Sequence, residues 1–197
     1  MKKILSILII LITLSINLPV KAEDNVSLDT NGNVINAHAG GIIIKDNTYY
    51  WYGEYRSPKP KNGEHWDSNQ KVMMYKSKNL KNWTICGVVL DLTNDKENWD
   101  LERPKIIYNK KNNNYVMWYH LEPQRHYIGG YAGVAISDNI TGPYKMIGYS
   151  RLNKNIQPVN KEKKKETNND WAAGTAVRKD MPSGQQVRDL TLFVDDD

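Results

Sequence analysis

Two carboxylates stand where an acid group is costly unless it has a partner or a ligand. Glu102 and Asp189 each lie just before an apolar segment. An acid that enters an apolar strand must be paired or must open into a wet cleft. Each could therefore form an ion pair with a nearby cation, Arg103 or Lys105 for Glu102 and Arg188 for Asp189. Otherwise each is an acid that could exchange protons with a bound molecule.

An imidazole and a third acid extend this set of candidates. His38 precedes the apolar run 41–44, where it could hold hydroxyl groups or act as a base. The alternative is a structural histidine that is bonded to the backbone. Glu54 ends the aromatic segment 49–52 and is a further candidate for binding hydroxyl groups.

The aromatic residues are mostly those with polar tips, 12 Tyr and 6 Trp against one Phe. This bias is typical of clefts that stack sugar rings, and equally of an ordinary tyrosine-rich β-protein. Tyr119, His120 and Tyr131 lie at or after the second aromatic segment and could line such a cleft. For each of them, packing in the core or at its rim is the alternative.

No pattern in the sequence predicts a metal or another cofactor. Cys86 is the single cysteine, which excludes an intramolecular disulfide and any CxxC-type zinc or redox site. The remaining histidines and carboxylates lack a metal-ligand spacing. Three aspartates at 195–197 could suggest calcium, but a β-turn fits them better because no glycine-spaced ligand loop surrounds them.

The segments that must position these residues read as short strands. Alternating apolar and aromatic runs are separated by turns rich in Asn, Lys, Asp and Gly at spacings of roughly 8–12 residues, as in antiparallel all-β folds. The pattern also repeats: 47–54 aligns with 113–120, and Ser77 and Ser137 lie 60 residues apart. A third unit begins at 187. Each unit predicts four strands, which is typical of a β-propeller blade.

The length allows only part of such a propeller. Propellers have roughly four to eight blades, whereas this chain has room for two blades and the first strand of a third. We therefore expect the N-terminal part of a longer β-propeller domain over 23–197, with 153–184 as a surface insert. The alternative is a short β-sandwich that is complete in itself.

The first 22 residues predict a secretory signal peptide. Lys2 and Lys3 precede the apolar run 4–20, and Val20 and Ala22 occupy the −3 and −1 positions of a cleavage site. An uncleaved anchor is the alternative. Loss of the three lysines in this segment lowers the formal net charge from +5 to +2, which is weak support for nucleic-acid binding. We expect a secreted or periplasmic protein with no nucleic-acid partner and no membrane contact after cleavage.

Five segments in order resemble the N-terminal half of glycoside hydrolase family 43, closest to its exo-β-1,3-galactanase-like branch. They are NAHAGGI (36–42), YWYGE (50–54), ERPKIIYN (102–109), YVMW (115–118) and RDLTLFVDDD (188–197). The resemblance implies a five-bladed β-propeller. It also implies an exo-acting hydrolase of β-linked galactan side chains that inverts the anomeric carbon, a reaction that needs a carboxylic acid and a base about 6.5–9.5 Å apart.

The resemblance also implies roles for single residues. Glu102 would contact the sugar in the first subsite, and Asp189 would orient the general acid and tune its pKa. His38 stands where most of the family carries an aspartate base, and we assign it to substrate binding only. Glu54, Tyr119, His120 and Tyr131 are weaker candidates for substrate binding.

The general acid of the resembling enzymes has no match within 1–197. The resemblance places it in the next blade, so we expect the chain to be incomplete and inactive by itself. A non-catalytic carbohydrate-binding propeller is the alternative, followed by a structural or adhesion β-protein. The exact sugar, the linkage and the oligomeric state stay open.

Overall fold

The computed structural model describes residues 26–56, 70–123, 129–156 and 184–195. These residues form eight strands and no helix, and so contain no helix that is long and apolar enough to cross a membrane. The strands are β1 (His38–Lys45), β2 (Thr48–Glu54), β3 (Lys71–Ser77), β4 (Thr84–Asp91), β5 (Trp99–Asn109), β6 (Asn114–Pro123), β7 (Tyr131–Ser137) and β8 (Lys145–Ser150).

The strands form two antiparallel sheets of four, in the orders β1-β2-β3-β4 and β5-β6-β7-β8. Neighbours in sequence are neighbours in space because short turns join them. Between β1 and β2, for example, Asp46 and Asn47 both have positive φ (48° and 54°), the backbone of a tight two-residue hairpin. The predicted all-β class and the two four-stranded units are confirmed.

The first strand of each sheet carries a bulge at the same place. The register shifts between His38 and Gly41 in β1 and between Glu102 and Lys105 in β5. A left-handed residue lies inside each bulge, Ala39 (φ 48°) and Arg103 (φ 53°). A bulge re-aims side chains and tolerates a residue without a backbone N–H. Pro104, which follows Arg103, is therefore accommodated inside β5.

Glu102 consequently lies within a strand and not ahead of one. The sequence predicts that Glu102 lies just ahead of an apolar strand, but β5 begins at Trp99 and pairs Glu102 with His120 of β6. The prediction failed because the bulge absorbs the proline without ending the ladder.

The two sheets pack face to face through a largely apolar core. Met74, Met117 and Leu121 are fully buried there. Hydrogen bonds also cross between the sheets. The Ile106 N–H donates to the Tyr52 hydroxyl at 3.0 Å. Beside it, Lys105 Nζ donates to the Ala39 carbonyl at 2.9 Å. These contacts hold the bulges of β1 and β5 next to each other.

The predicted first strand of a third unit does not pair with any strand in the described structure. Residues 187–195 are described without strand pairing, and Phe193 and Val194 are exposed. The segment is tied to the second sheet instead, because the Val187 N–H donates to the Gly130 carbonyl at 2.7 Å. Most of the predicted insert, 157–183, and the predicted signal peptide lie outside the described residues.

The hydrogen bond from the Ile106 N–H to the Tyr52 hydroxyl predicts an effect on stability. Tyr52→Phe leaves the buried Ile106 N–H without an acceptor, so the free energy of unfolding should fall by about 1–3 kcal/mol. Urea denaturation measures it. Tyr50→Phe is the matched control, since Tyr50 packs against the same core and its hydroxyl makes no hydrogen bond within the described residues. Equal losses in the two variants would contradict the assignment.

Candidate functional site

Charged side chains gather beside the β5 bulge, where the first sheet, the second sheet and the segment 186–189 come together. The group combines four carboxylates with three arginines and one histidine, from three separate parts of the chain. We call it the charged cluster, and its members are Glu54, Arg56, Glu102, Arg103, His120, Glu122, Arg188 and Asp189.

Arg103 joins the two carboxylates that the sequence singled out. Its Nη1 pairs with Oε2 of Glu102, and its Nε pairs with Oδ1 of Asp189. The Glu102 side chain is 11% exposed, whereas the Asp189 side chain is 86% exposed. The ion pair expected as the alternative for Glu102 therefore exists, but it lies in a half-buried cluster and not on a surface loop. Asp189 pairs with Arg103 and not with its neighbour Arg188.

His120 connects Glu102 to a second buried acid. Its Nδ1 lies 3.2 Å from Oε2 of Glu102 and its Nε2 lies 2.7 Å from Oε1 of Glu122. The imidazole is fully buried. Burial by itself lowers a histidine pKa, but the hydrogen bonds and charges of Glu102 and Glu122 outweigh it, so the pKa of His120 is raised.

Glu122 is held on both of its oxygens. Oε1 faces His120, while Oε2 accepts the N–H groups of Gly129 at 2.6 Å and Gly130 at 3.1 Å. Burial would raise the pKa of this carboxyl, but the bonds from His120 and the two backbone N–H groups outweigh burial and lower the pKa. Arg188 Nη1 lies 3.6 Å from Oε1.

Glu54 brings a fourth carboxylate from the first sheet. It is fully buried, and its Oε1 accepts from Arg56 at 2.6 Å. Its Oε2 has no hydrogen-bond partner in the part of the chain that the structure describes. Burial raises the pKa of Glu54 more than Arg56 lowers it, and the charge of Glu102 adds to the rise. Glu54 is thus a buried acceptor that adjoins the Glu102 side of the cluster.

His38 lies opposite Glu54 on β1, just as Glu102 lies opposite His120 on β5. Each bulged strand pair therefore carries one acid and one imidazole, in opposite order. His38 is an exposed residue. Partial burial and then the charge of Arg56 lower its pKa, which favours a neutral imidazole that can donate and accept hydrogen bonds.

Two of the predicted binding residues are packed against neighbouring side chains. Successive strand residues point to opposite faces, so Tyr119 faces away from His120. Its ring is fully buried in the core between the sheets, and a Cβ at Gly133 would lie 2.3 Å from it. Tyr131 packs with Trp99 (ring centroids 6.2 Å apart) and Tyr149 (5.3 Å). For both residues the packing alternative describes the observed position.

Sequence reasoning missed the cations and Glu122. The sequence indicates Arg103 only as a possible partner of Glu102. Its ion pair with Asp189 joins residues far apart in sequence and becomes visible only in the folded structure. Glu122 carried a usable signal, because it stands two residues after His120 on one strand and so shares its face. Within the described residues no group of three or more potential ligands could hold a metal ion.

The His120–Glu122 pair predicts a pH dependence of stability. A raised histidine pKa stabilises the fold below its ordinary value of 6.5, and this stabilisation is lost as the pH rises through the folded value. A lowered carboxyl pKa stabilises above 4.5 and is lost as the pH falls. The His120–Glu122 pair therefore contributes most to the free energy of unfolding between pH 4.5 and pH 6.5.

We expect the wild type to lose more unfolding free energy than His120→Gln between about pH 6 and about pH 9. Urea titrations of both proteins at the two pH values measure this difference. Parallel losses would show that His120 titrates in the folded state as it does in the unfolded one.

The chain is similar to solved glycoside hydrolase structures. The GH43 β-1,3-galactosidase BT3683, solved with galactodeoxynojirimycin, is 37% identical with a TM-score of 0.75 over 88% of this chain and 55% of that chain. The exo-β-1,3-galactanase 1,3Gal43A from Clostridium thermocellum is 32% identical with a TM-score of 0.66 over 87% and 32%. Pc1,3Gal43A, the exo-β-1,3-galactanase from Phanerochaete chrysosporium, solved with galactose, is 33% identical with a TM-score of 0.57 over 64% and 29%.

This chain spans about half of the length of the first of these relatives and about a third of the other two. No family model and no curated protein matches it.

Proposed function

Because the chain belongs to glycoside hydrolase family 43, in its exo-β-1,3-galactanase-like branch, we propose that the charged cluster is part of the sugar-binding site of a glycoside hydrolase that acts on β-linked galactan. The two sheets are then two blades of a five-bladed propeller. The observation that carries the proposal is the convergence of Glu102 and Asp189 on Arg103.

The cluster offers the groups that a galactose ring needs. Hydroxyl groups of a sugar bind well to carboxylates, because a charged acceptor makes a stronger hydrogen bond than a neutral one. Glu54 has a buried oxygen without a partner among the described residues, and a sugar hydroxyl would satisfy it. We assign hydroxyl binding to Glu102, Glu54 and His38.

We assign Asp189 to orienting the general acid and not to donating the proton. Its Oδ1 is bound by Arg103, which also holds the Glu102 carboxylate, so Asp189 is placed as a part of the charged cluster that orients other groups. Glu54 is the cluster acid whose pKa burial raises, but its Oε1 accepts from Arg56 and we assign it to hydroxyl binding. No residue of the charged cluster matches the general acid of the resembling enzymes, and we propose that the chain binds galactosides without turning them over. A non-catalytic carbohydrate-binding propeller is the second candidate.

Binding tests the proposal directly. Isothermal titration of the full chain with galactodeoxynojirimycin should show saturable binding, and Glu102→Gln should weaken it by about tenfold or more, since a hydrogen bond to a charged group contributes about 1.5–3 kcal/mol. Glu97→Gln is the matched control, because Glu97 is exposed and outside the cluster. Circular dichroism checks that each variant is folded.

No saturable binding by the wild type would overturn the proposed function and favour a structural β-protein. Incubation with β-1,3-galactotriose is the second arm, and no galactose should be released. Release of galactose would show that a proton donor is present within the chain, and would remove the binding-only part of the proposal while leaving the glycosidase assignment in place.

We also propose that residues 1–22 are a signal peptide and that the mature protein is secreted or periplasmic. The support is the basic start, the apolar run 4–20 and the small residue at 22. Expression of the full chain in a bacterial host and N-terminal sequencing of the exported protein would test this. A mature N-terminus near Glu23 is expected, and retention of residues 1–22 in the cytoplasm would contradict it.

A further inference from the structure

Glu122 is a buried acid with hydrogen-bond partners on both of its oxygens, although neither the sequence nor the proposed function gives it a role. Its side chain is fully buried. Oε1 faces the His120 ring at 2.7 Å and Oε2 accepts two backbone N–H groups, those of Gly129 and Gly130. The Glu122 carboxylate thus contacts both the His120 side chain of the charged cluster and the Gly129–Gly130 turn.

On one side, these contacts lead to Glu102. His120 is clamped between Glu122 and Glu102, with one ring nitrogen toward each. The same Oε2 of Glu102 also accepts from Arg103. The position of the Glu102 carboxylate therefore depends on the orientation of the imidazole, and Glu122 sets that orientation.

On the other side, the contacts lead to Asp189. The Gly130 carbonyl accepts the Val187 N–H at 2.7 Å, two residues before Asp189. Arg188 approaches Glu122 Oε1 at 3.6 Å. A Cβ at Gly130 would lie 2.6 Å from the Cβ of Gln186, so the turn and the segment are in close contact. The turn that Glu122 holds is thus the support of the segment that presents Asp189.

We propose that Glu122 is a positioning residue that fixes Glu102, through His120, and Asp189, through the Gly129–Gly130 turn, relative to each other. The proposal rests on the proposed function insofar as Glu102 binds the sugar and Asp189 orients the general acid. It goes beyond that function because it assigns the geometry of the site to Glu122, a fully buried residue that the proposed function leaves without a role.

The hydrogen-bond pattern demands a carboxylate at this position. Both oxygens of Glu122 face donors, and both nitrogens of His120 face carboxylates. A glutamine keeps an oxygen for the two backbone N–H groups only by turning its amide N–H toward Nε2. The imidazole must then accept at Nε2 and keep its proton on Nδ1, toward Glu102. Glu122→Gln should therefore convert a doubly protonated ring into the neutral Nδ1–H tautomer.

The charged groups that face the imidazole from the described residues lie on β5, on β6 and on the segment 186–189, whereas β7, which pairs Ala132 with His120, carries no charged residue. Glu102 and Arg103 lie on β5, Glu122 lies on β6 with His120 itself, and Arg188 and Asp189 lie on the segment 186–189. Glu102 and Glu122, the two carboxylates in direct contact with His120, favour the protonated, charged imidazole. Replacing one of them makes the charged form of the imidazole less favourable.

Nitrogen-15 NMR of histidine-labelled full chain at neutral pH tests the His120 arm, with His120→Gln assigning the signal. The wild type should show both ring nitrogens protonated, and Glu122→Gln should show a proton on Nδ1 only. The amide signals of Gly129, Gly130 and Val187 should also move. Glu97→Gln should leave all of these signals unchanged. A ring that stays doubly protonated in Glu122→Gln, or unmoved amide signals, would overturn the proposal.

Affinity for galactodeoxynojirimycin tests the link to the sugar. Glu122→Gln should bind galactodeoxynojirimycin with about tenfold lower affinity, as expected when a hydrogen bond to a charged group is removed. Wild-type affinity together with an altered His120 ring would overturn the positioning role. If the wild type itself does not bind, the proposed function fails, and the NMR result alone decides whether Glu122 controls His120 and the segment.

Gly130→Ala is a second variant that separates the two arms and keeps the test open if Glu122→Gln does not fold. Its Cβ would press on Gln186, and its φ of 56° is costly for alanine. We expect the amide signals of Val187 and Asp189 to move, because the Val187 N–H donates to the Gly130 carbonyl, with His120 still doubly protonated. Unmoved amide signals of these two residues would contradict the support of Asp189 by the turn.

Discussion

The cluster depends on one constraint: a carboxylate that leaves water needs a cation or several N–H donors. Four acids converge where the two sheets and the segment 186–189 meet, and each has such a partner. Oε2 of Glu102 is the centre of the arrangement, because it accepts from both Arg103 and His120. Arg103 also pairs with Asp189, so Arg103 and His120 connect Glu102 to Asp189 and to Glu122.

The bulges make this convergence possible. A regular strand would alternate its side chains between the two faces, and Glu102 and Arg103 could not easily meet at one point. The left-handed backbone of Arg103 and the shift of register bring the two side chains together, and the equivalent bulge in β1 places His38 opposite Glu54. Both sheets thus have the bulge in their first strand. The imidazole lies on the first strand in one sheet and on the second strand in the other, with the acid opposite it in each case.

The periodicity of the sequence predicted the strands well, because apolar alternation and turn residues are local signals. The repeat that aligns 47–54 with 113–120 also predicted that Glu54 and His120 occupy corresponding positions, and the pairing of each with the bulged first strand of its sheet confirms this. The periodicity could not separate a cleft from a core for Tyr119 and Tyr131, since an aromatic residue gives the same pattern in either place. Tyr119 lies on the opposite face of its strand from His120 and packs between the sheets.

The sequence by itself determined the all-β class, the two four-stranded units and the candidate acids, because these follow from hydrophobic spacing, turn chemistry and the cost of charge in apolar segments. Only the tertiary structure decided which cation each acid takes and that Glu122 supports the site. Those pairings join residues on different strands and on the segment 186–189, and their geometry depends on the bulge and on how the sheets pack, which no local pattern records.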